Sequence, residues 1–196
     1  LDAEYNRCFL APGAFPSPPV EPLFTFNKQA NNFAAEPIIE AKPMAFVGVH
    51  PCDLHAIRLL DHVFEQDHRD EHYLARRAHT MIVGIDCPRP CTEGVFCADM
   101  HTNTADDGFD VMLYSLHDAG TPKVVYGVLF GTAAGKEWLL YGRRGHVPTA
   151  ADERAFEQYQ REKFAAFPRM LRTPADELPV LLDHSYDSLL WEATAR

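Results

Sequence analysis

Two short runs of consecutive apolar residues dominate the hydrophobic pattern, MAFVGV at Met44–Val49 and TMIVGI at Thr80–Ile85. Runs of this length and composition predict buried strands. Between them a helix is predicted with Asp53 as its N-cap, and the following stretch 65–77 is polar and charged. The apolar positions of this helix recur at helical spacing: Leu54, Ile57, Leu60, Val63 and Phe64.

Three further strands are predicted in the second half of the chain, at 109–116, Val124–Phe130 and 138–141. The segment GTAAGKE at 131–137 resembles a phosphate-binding loop but is one residue short, and Glu137 stands where a magnesium ligand belongs. Because a strand is predicted after it, we interpret this segment as a hairpin turn.

Two helices are predicted towards the C-terminus. The first covers 149–167, where Thr149 and Asp152 have the spacing of a capping box. Its predicted apolar face carries Phe156, Tyr159, Phe164 and Phe167. The second begins at about Ser185, and its predicted apolar face carries Tyr186, Leu189, Leu190 and Ala193.

The alternation of strands and helices predicts an α/β domain with a mixed, partly parallel sheet flanked by helices. Residues 1–43 contain many prolines with interleaved aromatic residues, which predicts an extended arm that packs across the domain. We therefore divide the chain into a proline-rich arm at 1–43, an α/β domain at 44–182 and a C-terminal helix at 183–196.

Composition and charge exclude several functional classes. Of the 196 residues, 46% are hydrophobic and 23% are charged, which is typical of a globular domain. The formal net charge of -10 disfavours binding to nucleic-acid phosphates. No apolar stretch is long enough to span a membrane, and no signal peptide is recognisable, so we expect a cytoplasmic protein.

The five cysteines carry the clearest chemical signal. Their odd number argues against a framework of disulfides. Cys87, Cys91 and Cys97 lie within one loop after the second apolar strand, and Cys52 follows the first. If the two strands are parallel neighbours, all four thiols lie at one edge of the sheet. Cys8 lies apart from this group, and we assign it no role.

The spacing C-x3-C-x5-C, with Cys52 joining from upstream, suits a cluster or a metal ion held by four thiolates. Structural zinc is the alternative, although its paired cysteines usually have a shorter and more regular spacing. Cys52 precedes a predicted helix, and the helix dipole favours a thiolate at that position. His50 and His55 flank Cys52 and are candidate auxiliary ligands, although surface or packing histidines are commoner.

The segment His68–His72 matches H-x-x-E-H, a motif of some zinc proteases. That chemistry requires both histidines on one face of a helix beside a cleft. Because the segment is charged on all sides, we interpret it as a solvated surface stretch.

Several motifs occur together in a characteristic order: FVGVHPCDLHAI at 46–57, YLARR at 73–77, IVGIDC at 82–87, Phe96-Cys97 and GFD at 108–110. They resemble the N-terminal domain of the 4Fe–4S dicluster electron-transfer subunits, the family of sulfhydrogenase beta subunits and of the A subunit of anaerobic sulfite reductase. FLAP at 9–12 and PVEPLF at 19–24 resemble the proline-rich start of that family.

The resemblance implies electron transfer between a flavin- or ferredoxin-type subunit and a catalytic subunit. Carried over to this chain, the recurrent cysteines of the family correspond to Cys52, Cys87 and Cys97, with Cys91 in the same loop. The family also implies a C-terminal ferredoxin-like region, which would follow the last residues of this chain. We expect either an N-terminal domain separated from that region or a relative that has lost it.

Three functions remain open at this stage. The leading hypothesis is an iron–sulfur electron-transfer subunit, with a 4Fe–4S cluster held by Cys52, Cys87, Cys91 and Cys97. The second is a docking module without catalytic function whose cysteines are structural and bind zinc. The third is a thiol–disulfide redox protein that uses Cys87 and Cys91, although its C-x3-C spacing departs from the usual C-x-x-C.

Overall fold

The structure, a computed structural model, describes residues 20–29, 32–117, 124–141 and 145–194. The strands are β1 Phe24–Gln29, β2 Asn32–Pro37, β3 Met44–Val49, β4 Thr80–Ile85, β5 Val111–His117 and β6 Val124–Phe130. The helices are α1 Pro51–Glu65, α2 Glu71–Ala78, α3 Ala133–Tyr141, α4 Ala150–Ala166, α5 Leu178–His184 and α6 Leu190–Thr194.

A four-stranded sheet in the order β3-β4-β5-β6 organises the molecule. β3, β4 and β5 run parallel, and β6 pairs antiparallel with β5. The predicted mixed, partly parallel α/β fold is therefore confirmed. β3 and β4 have the predicted bounds, and the register between them shifts at Gly48, whose φ of 88° suits glycine.

The hydrophobic core lies between the sheet and α1. Leu54 and Ile57 of α1 are fully buried against Ile82 of β4 and Met112 of β5, and Val49 and Phe109 complete the cluster. The helical spacing in the sequence correctly predicted Leu54 and Ile57 as buried positions of α1, but Val63 on the same predicted face is 56% exposed. This packing fixes α1, and with it the segment between β3 and α1, on one face of the sheet.

The described part of the predicted arm contains regular structure that the sequence analysis missed. β1 and β2 form an antiparallel hairpin whose Phe24, Phe26 and Phe33 lie on one exposed face. The prolines are concentrated outside the paired residues, which is why strands form between them. Residues 1–19, including Cys8, lie outside the described residues, and the division of the chain into three parts stays a prediction.

The start of α1 and the charged stretch before β4 differ from prediction. α1 begins at Pro51 with His50 as N-cap, so Asp53 lies within its first turn. Proline is favoured at this position because the amide it lacks would have no helical partner. The end of the charged stretch forms α2 at Glu71–Ala78, and this helix buries Tyr73. Asp70 caps this helix by accepting bonds from the amides of His72 and Tyr73.

The position of α2 also bears on the H-x-x-E-H motif. His68 precedes the helix, whereas His72 lies in its first turn. The two histidines therefore do not share a helix face, as a zinc-protease site of this type would require.

The predicted strand at 138–141 and the hairpin turn before it are both wrong, because these residues form α3. Thr132 caps the helix, with its Oγ1 accepting a bond of 3.0 Å from the amide of Gly135. The same hydroxyl donates to Asp110 at 2.6 Å. A Cβ at Gly131 or Gly135 would overlap the backbone carbonyl of Phe109 or Asp110. The two glycines of the phosphate-loop-like segment thus permit close packing of the chain.

α4 confirms the predicted helix and its capping box. Thr149 and Asp152 exchange hydrogen bonds between side chain and backbone in both directions. Tyr159 and Phe167 are buried as predicted, but Phe164 is 58% exposed.

The start predicted for the last helix, Ser185, is wrong, and only α6 at Leu190–Thr194 lies within the predicted range. α5 ends at His184, α6 starts at Leu190, and Tyr186 and Leu189 lie exposed between them. Ser185 ends α5 by donating its hydroxyl to the carbonyl of Leu182. No helix among the described residues is long and apolar enough to cross a membrane.

Candidate functional site

The cysteines follow the carboxyl ends of two adjacent strands. Cys52 is the second residue of α1, directly after β3, and Cys87 lies two residues beyond the end of β4. Because β3 and β4 pair in parallel, the strand ends lie side by side at one edge of the sheet. Cys91 and Cys97 belong to the loop that continues from Cys87. We call these four residues the cysteine edge.

All four thiols of the cysteine edge are free. Cys52 retains exposed surface, and the other three are half-buried. Desolvation, and after it the neighbouring Asp53 and Cys97, raise the pKa of Cys52 to about 11. The helix dipole was expected to favour a thiolate at Cys52, but burial and negative neighbours outweigh it here.

Electrostatic interactions connect the members of the cysteine edge. Burial raises the pKa of Cys87 to about 12, with Asp86, Cys52 and Cys91 adding to the effect. Burial and then Cys91 raise the pKa of Cys97. Thiolates this close to each other repel, so a bound cation or cluster is what would stabilise them together in the ionised form.

The described residues contain no group of three or more His, Cys, Asp or Glu side chains that converges on one metal ion. The cysteine edge therefore gathers its thiols at one place without forming the compact tetrahedron that zinc requires. Four thiols without a disulfide remain the donor set that iron–sulfur clusters use. The chemistry of the donors fits such a cluster, and their assignment as ligands stays a prediction.

Backbone geometry and a buried carboxylate hold the loop of the cysteine edge in place. Gly94 has a φ of 78°, which turns the chain between Cys91 and Cys97. The amide of Thr102 donates to the carbonyl of Cys97 at 2.9 Å. Asp99 is buried and accepts bonds of 2.8 and 3.3 Å from the amides of Met170 and Leu171. The far end of the loop is thereby tied to the segment after α4.

A buried polar group lies at the near end of the same loop. Asp86, directly before Cys87, accepts bonds of 2.6 and 2.7 Å from Lys163 Nζ and of 2.8 Å from Tyr159 Oη. Sequence analysis placed Tyr159 on the apolar face of α4 but did not note Lys163. The signal was present, since Lys163 follows Tyr159 by four residues and therefore lies on the same face.

The two histidines beside Cys52 differ in their surroundings. His55 Nε2 lies 2.8 Å from the carbonyl oxygen of Thr104, so this nitrogen is engaged in a structural hydrogen bond. Burial lowers the pKa of His50, while Asp53 and Asp86 partly oppose the effect. His50 thus belongs to the electrostatic environment of the cysteine edge.

Fold and site together define a class of protein, an α/β domain with four free thiols at the carboxyl edge of its parallel strands. Comparison with known proteins identifies a protein of similar sequence. The chain is 31% identical over its 196 residues to the Sulfhydrogenase 2 subunit beta of Pyrococcus furiosus. It spans 54% of that protein, or about half of its length. No family model matches the chain, and no solved structure matches it.

This similarity supports the resemblance to sulfhydrogenase beta subunits that the sequence motifs indicated. It extends over the whole chain, so it includes the cysteine edge, α4 and the hairpin. The 4Fe–4S dicluster character and the relation to anaerobic sulfite reductase remain predictions.

Proposed function

We propose that this chain belongs to the family of sulfhydrogenase beta subunits and serves as an electron-transfer domain in a hydrogenase-type complex. The observation that carries the proposal is the gathering of four free cysteines at one edge of the sheet. The similarity to the Sulfhydrogenase 2 subunit beta over the full chain supports it independently. A role in a sulfite or sulfur reductase complex is the variant of this proposal that the sequence motifs also allow.

In this proposal Cys52, Cys87, Cys91 and Cys97 hold a 4Fe–4S cluster. A bound cluster of this kind supplies electron transfer at a potential that its protein surroundings tune. β3 and β4 bring Cys52 beside the loop, and Asp99 fixes the far end of that loop. The half-buried position of three of the thiols limits access of water. We propose partners of two kinds, a catalytic subunit and a flavin- or ferredoxin-type subunit.

A second candidate is a docking module with structural cysteines that bind zinc. Its support is the set of four free thiols, a donor set that structural zinc also uses. Thiol–disulfide chemistry is disfavoured, because the attacking species is a thiolate and burial raises the pKa of Cys87 to about 12. If Cys87 and Cys91 did act in this way, alkylation and mass spectrometry would detect a reversible disulfide between them.

The proposal is tested by anaerobic purification of the chain followed by iron, sulfide and zinc analysis and a visible spectrum. We expect iron with an equal amount of sulfide and the broad charge-transfer absorption of a cluster. Cys52→Ser should remove or convert the cluster, because one of four ligands is lost. Cys8→Ser is the matched control and should keep the wild-type spectrum.

Two results would contradict the proposal. Zinc without iron, or no metal after anaerobic purification, would favour the docking module. An unchanged spectrum in Cys52→Ser would exclude this residue as a ligand even if the wild-type chain contains iron.

A further inference from the structure

β6 forms an open edge of the four-stranded sheet. It is the last strand in the order β3-β4-β5-β6, and within the described part of the chain it pairs only with β5. Alternate amides and carbonyls of an edge strand point away from the sheet and can pair with another strand. The outer side of β6 therefore offers a row of hydrogen-bonding groups.

The composition of β6 leaves this edge unprotected. Its sequence VVYGVLF contains no charged residue and no proline, whereas natural edge strands usually carry such residues to prevent pairing with another chain. β6 is also regular, since it pairs with β5 over all seven residues without a shift. The opposite edge strand, β3, has a register shift near Gly48, and irregularities of this kind hinder edge pairing.

The side chains of β6 are exposed on both faces of the sheet. Val125 and Leu129 lie on the face that carries Met112, and they are 39% and 46% exposed. Val128 lies on the opposite face and is 40% exposed. A strand added beside β6 would therefore cover apolar surface on both faces, in addition to pairing with the backbone.

The chain that follows β6 turns away from the outer edge. The amide of Gly131 donates to the carbonyl of Asp110 at 2.9 Å, and Gly135 packs against the same carbonyl. Because Asp110 lies directly before β5, α3 begins on the β5 side of β6. Trp138 and Leu140 of this helix are 47% and 56% exposed, and they extend the apolar surface near the strand.

The sequence of β6 is complementary to itself. If two copies of the strand pair antiparallel about Gly127, Val125 of one copy lies beside Leu129 of the other. In the same register Tyr126 lies beside Val128, and an aromatic residue beside a β-branched one is a favourable cross-strand pair. A two-fold axis satisfies both strands at once and closes the assembly at two copies.

Area and charge allow such a dimer. A specific interface buries about 800 Å² on each partner. The exposed parts of the apolar side chains of β6 and α3 amount to roughly 600 Å² per copy, and the strand backbone adds to this area. The formal net charge of -10 opposes association, but β6 is uncharged, and salt screens repulsion beyond about 8 Å.

We propose that the outer edge of β6 is an interface at which two copies of this chain join their sheets into one eight-stranded sheet across a two-fold axis. The partner that this surface fits is a second copy of the chain. The interface is independent of the proposed electron transfer, because β6 lies at the opposite end of the sheet from β3 and does not involve the cysteine edge.

The test is sedimentation velocity of the 196-residue chain from micromolar to millimolar concentration, with a reductant present so that the free thiols cannot cross-link. We expect the mass to rise from the 22.1 kDa of the monomer to twice that value as the concentration increases. Added salt should favour the dimer, because it screens the repulsion between two acidic chains.

Two substitutions test the register. Val125→Lys and Leu129→Glu each place a charge in an apolar cross-strand pair, twice per dimer, and each should raise the dissociation constant roughly tenfold or more. An equimolar mixture should regain a mixed dimer, because the introduced ammonium of one copy then faces the introduced carboxylate of the other. Val63→Lys, at an exposed position of α1, is the control and should dimerise like wild type.

Amide hydrogen exchange of the wild-type chain provides a measurement without substitutions. Exchange in β6 should slow at high concentration, whereas exchange in β3 should stay the same. Circular dichroism establishes that each variant is folded.

Each outcome supports or overturns the inference. A concentration-dependent dimer that both variants weaken and their mixture restores supports it, and so does concentration-dependent protection of β6. A monomer at every concentration overturns it. A dimer that neither variant weakens, a mixture that associates no better than the separate variants, or a dimer without protection of β6 also overturns it. None of these results depends on iron content, so the proposed function is tested separately.

Discussion

Asp110 shows how one side chain can join three parts of the fold. Its carboxylate accepts a bond of 2.7 Å from the amide of Ile82 in β4 and one of 2.6 Å from the hydroxyl of Thr132. Its backbone carbonyl accepts the amide of Gly131 at 2.9 Å. The start of α3 is thereby fixed against the chain that leads into β5, which leaves no room for a side chain at Gly135.

We predict that Gly135→Ala lowers the free energy of unfolding by roughly 2 kcal/mol, the usual cost of an extra methyl group in a tightly packed site. The added Cβ would overlap the carbonyl of Asp110, which is backbone and cannot move aside. Urea denaturation followed by circular dichroism measures the change.

Gly145→Ala is the control, because nothing lies within 4 Å of a Cβ there. Its effect should stay within about 0.5 kcal/mol of zero. Equal effects of the two substitutions would contradict the packing explanation.

At the scale of residues, features set by local spacing could be predicted from the sequence, whereas contacts between distant residues could not. The sequence identified the capping box of α4 and the buried positions Leu54 and Ile57 of α1, which depend on local spacing. It did not reveal that Lys163 pairs with Asp86, since 77 residues separate the two and only the packing of α4 brings them together. The role of Gly131 and Gly135 was hidden for the same reason.

At the scale of elements, the inner face of α4 makes both polar and aromatic contacts. Tyr159 and Lys163 contact Asp86, while Phe156 packs edge-to-face on Tyr114 of β5 with ring centroids 4.9 Å apart. Its N-terminus is fixed by the capping box of Thr149 and Asp152. Hydrogen bonds from Thr149, and then His146, hold the pKa of Asp152 at about 2.

The capping box predicts a pH dependence of stability. The folded-state pKa of Asp152 lies below the value of about 3.9 for an unfolded aspartate. Its contribution is therefore complete above about pH 4 and is lost as the pH falls through the folded-state value near 2. Asp152→Asn should reduce stability at pH 5, and its difference from wild type should shrink on acidification towards pH 2.

Thermal unfolding of both proteins at several pH values between these limits measures this difference. Glu153→Gln is the matched control, because it removes a charge from the same helical turn without touching the box. A difference between Asp152→Asn and wild type that stays constant with pH would contradict the role given to the carboxylate.

The elements also show where sequence patterns are ambiguous. β3 and β4 were predicted to the residue because a continuous apolar run beside a parallel neighbour has one plausible structure. Trp138 and Leu140 suit a strand as well as a helix. These residues form α3 because Thr132 caps the start of the helix, and Thr132 is in turn held by a hydrogen bond to Asp110. The C-terminal helices were misplaced because Ser185, assigned as a start, ends α5.

At the scale of the whole molecule, the proposed ligands come from two regions that the sheet brings together. Cys52 lies in the first turn of α1, directly after β3, whereas the other three cysteines follow β4. A group bound by all four would cross-link these regions in the folded state and not in the unfolded chain. Binding of this kind stabilises the fold through thermodynamic linkage.

We therefore predict that release of iron by a chelator under oxidising conditions lowers the melting temperature by about 5 °C or more. Differential scanning calorimetry before and after treatment measures the shift. A chain with all four cysteines of the edge replaced by serine should show no response to the same treatment. An unchanged melting temperature after complete loss of iron would contradict a cross-linking role.

The parallel pairing of β3 with β4 has a consequence for the order of events during folding. These strands are joined through α1 and α2, and such non-local pairing forms later than local helices and turns. Until it forms, the loop after β4 presents three thiols, and Cys52 remains elsewhere. If the proposed cluster is bound by all four thiols, its complete set of ligands forms only after β3 and β4 have paired.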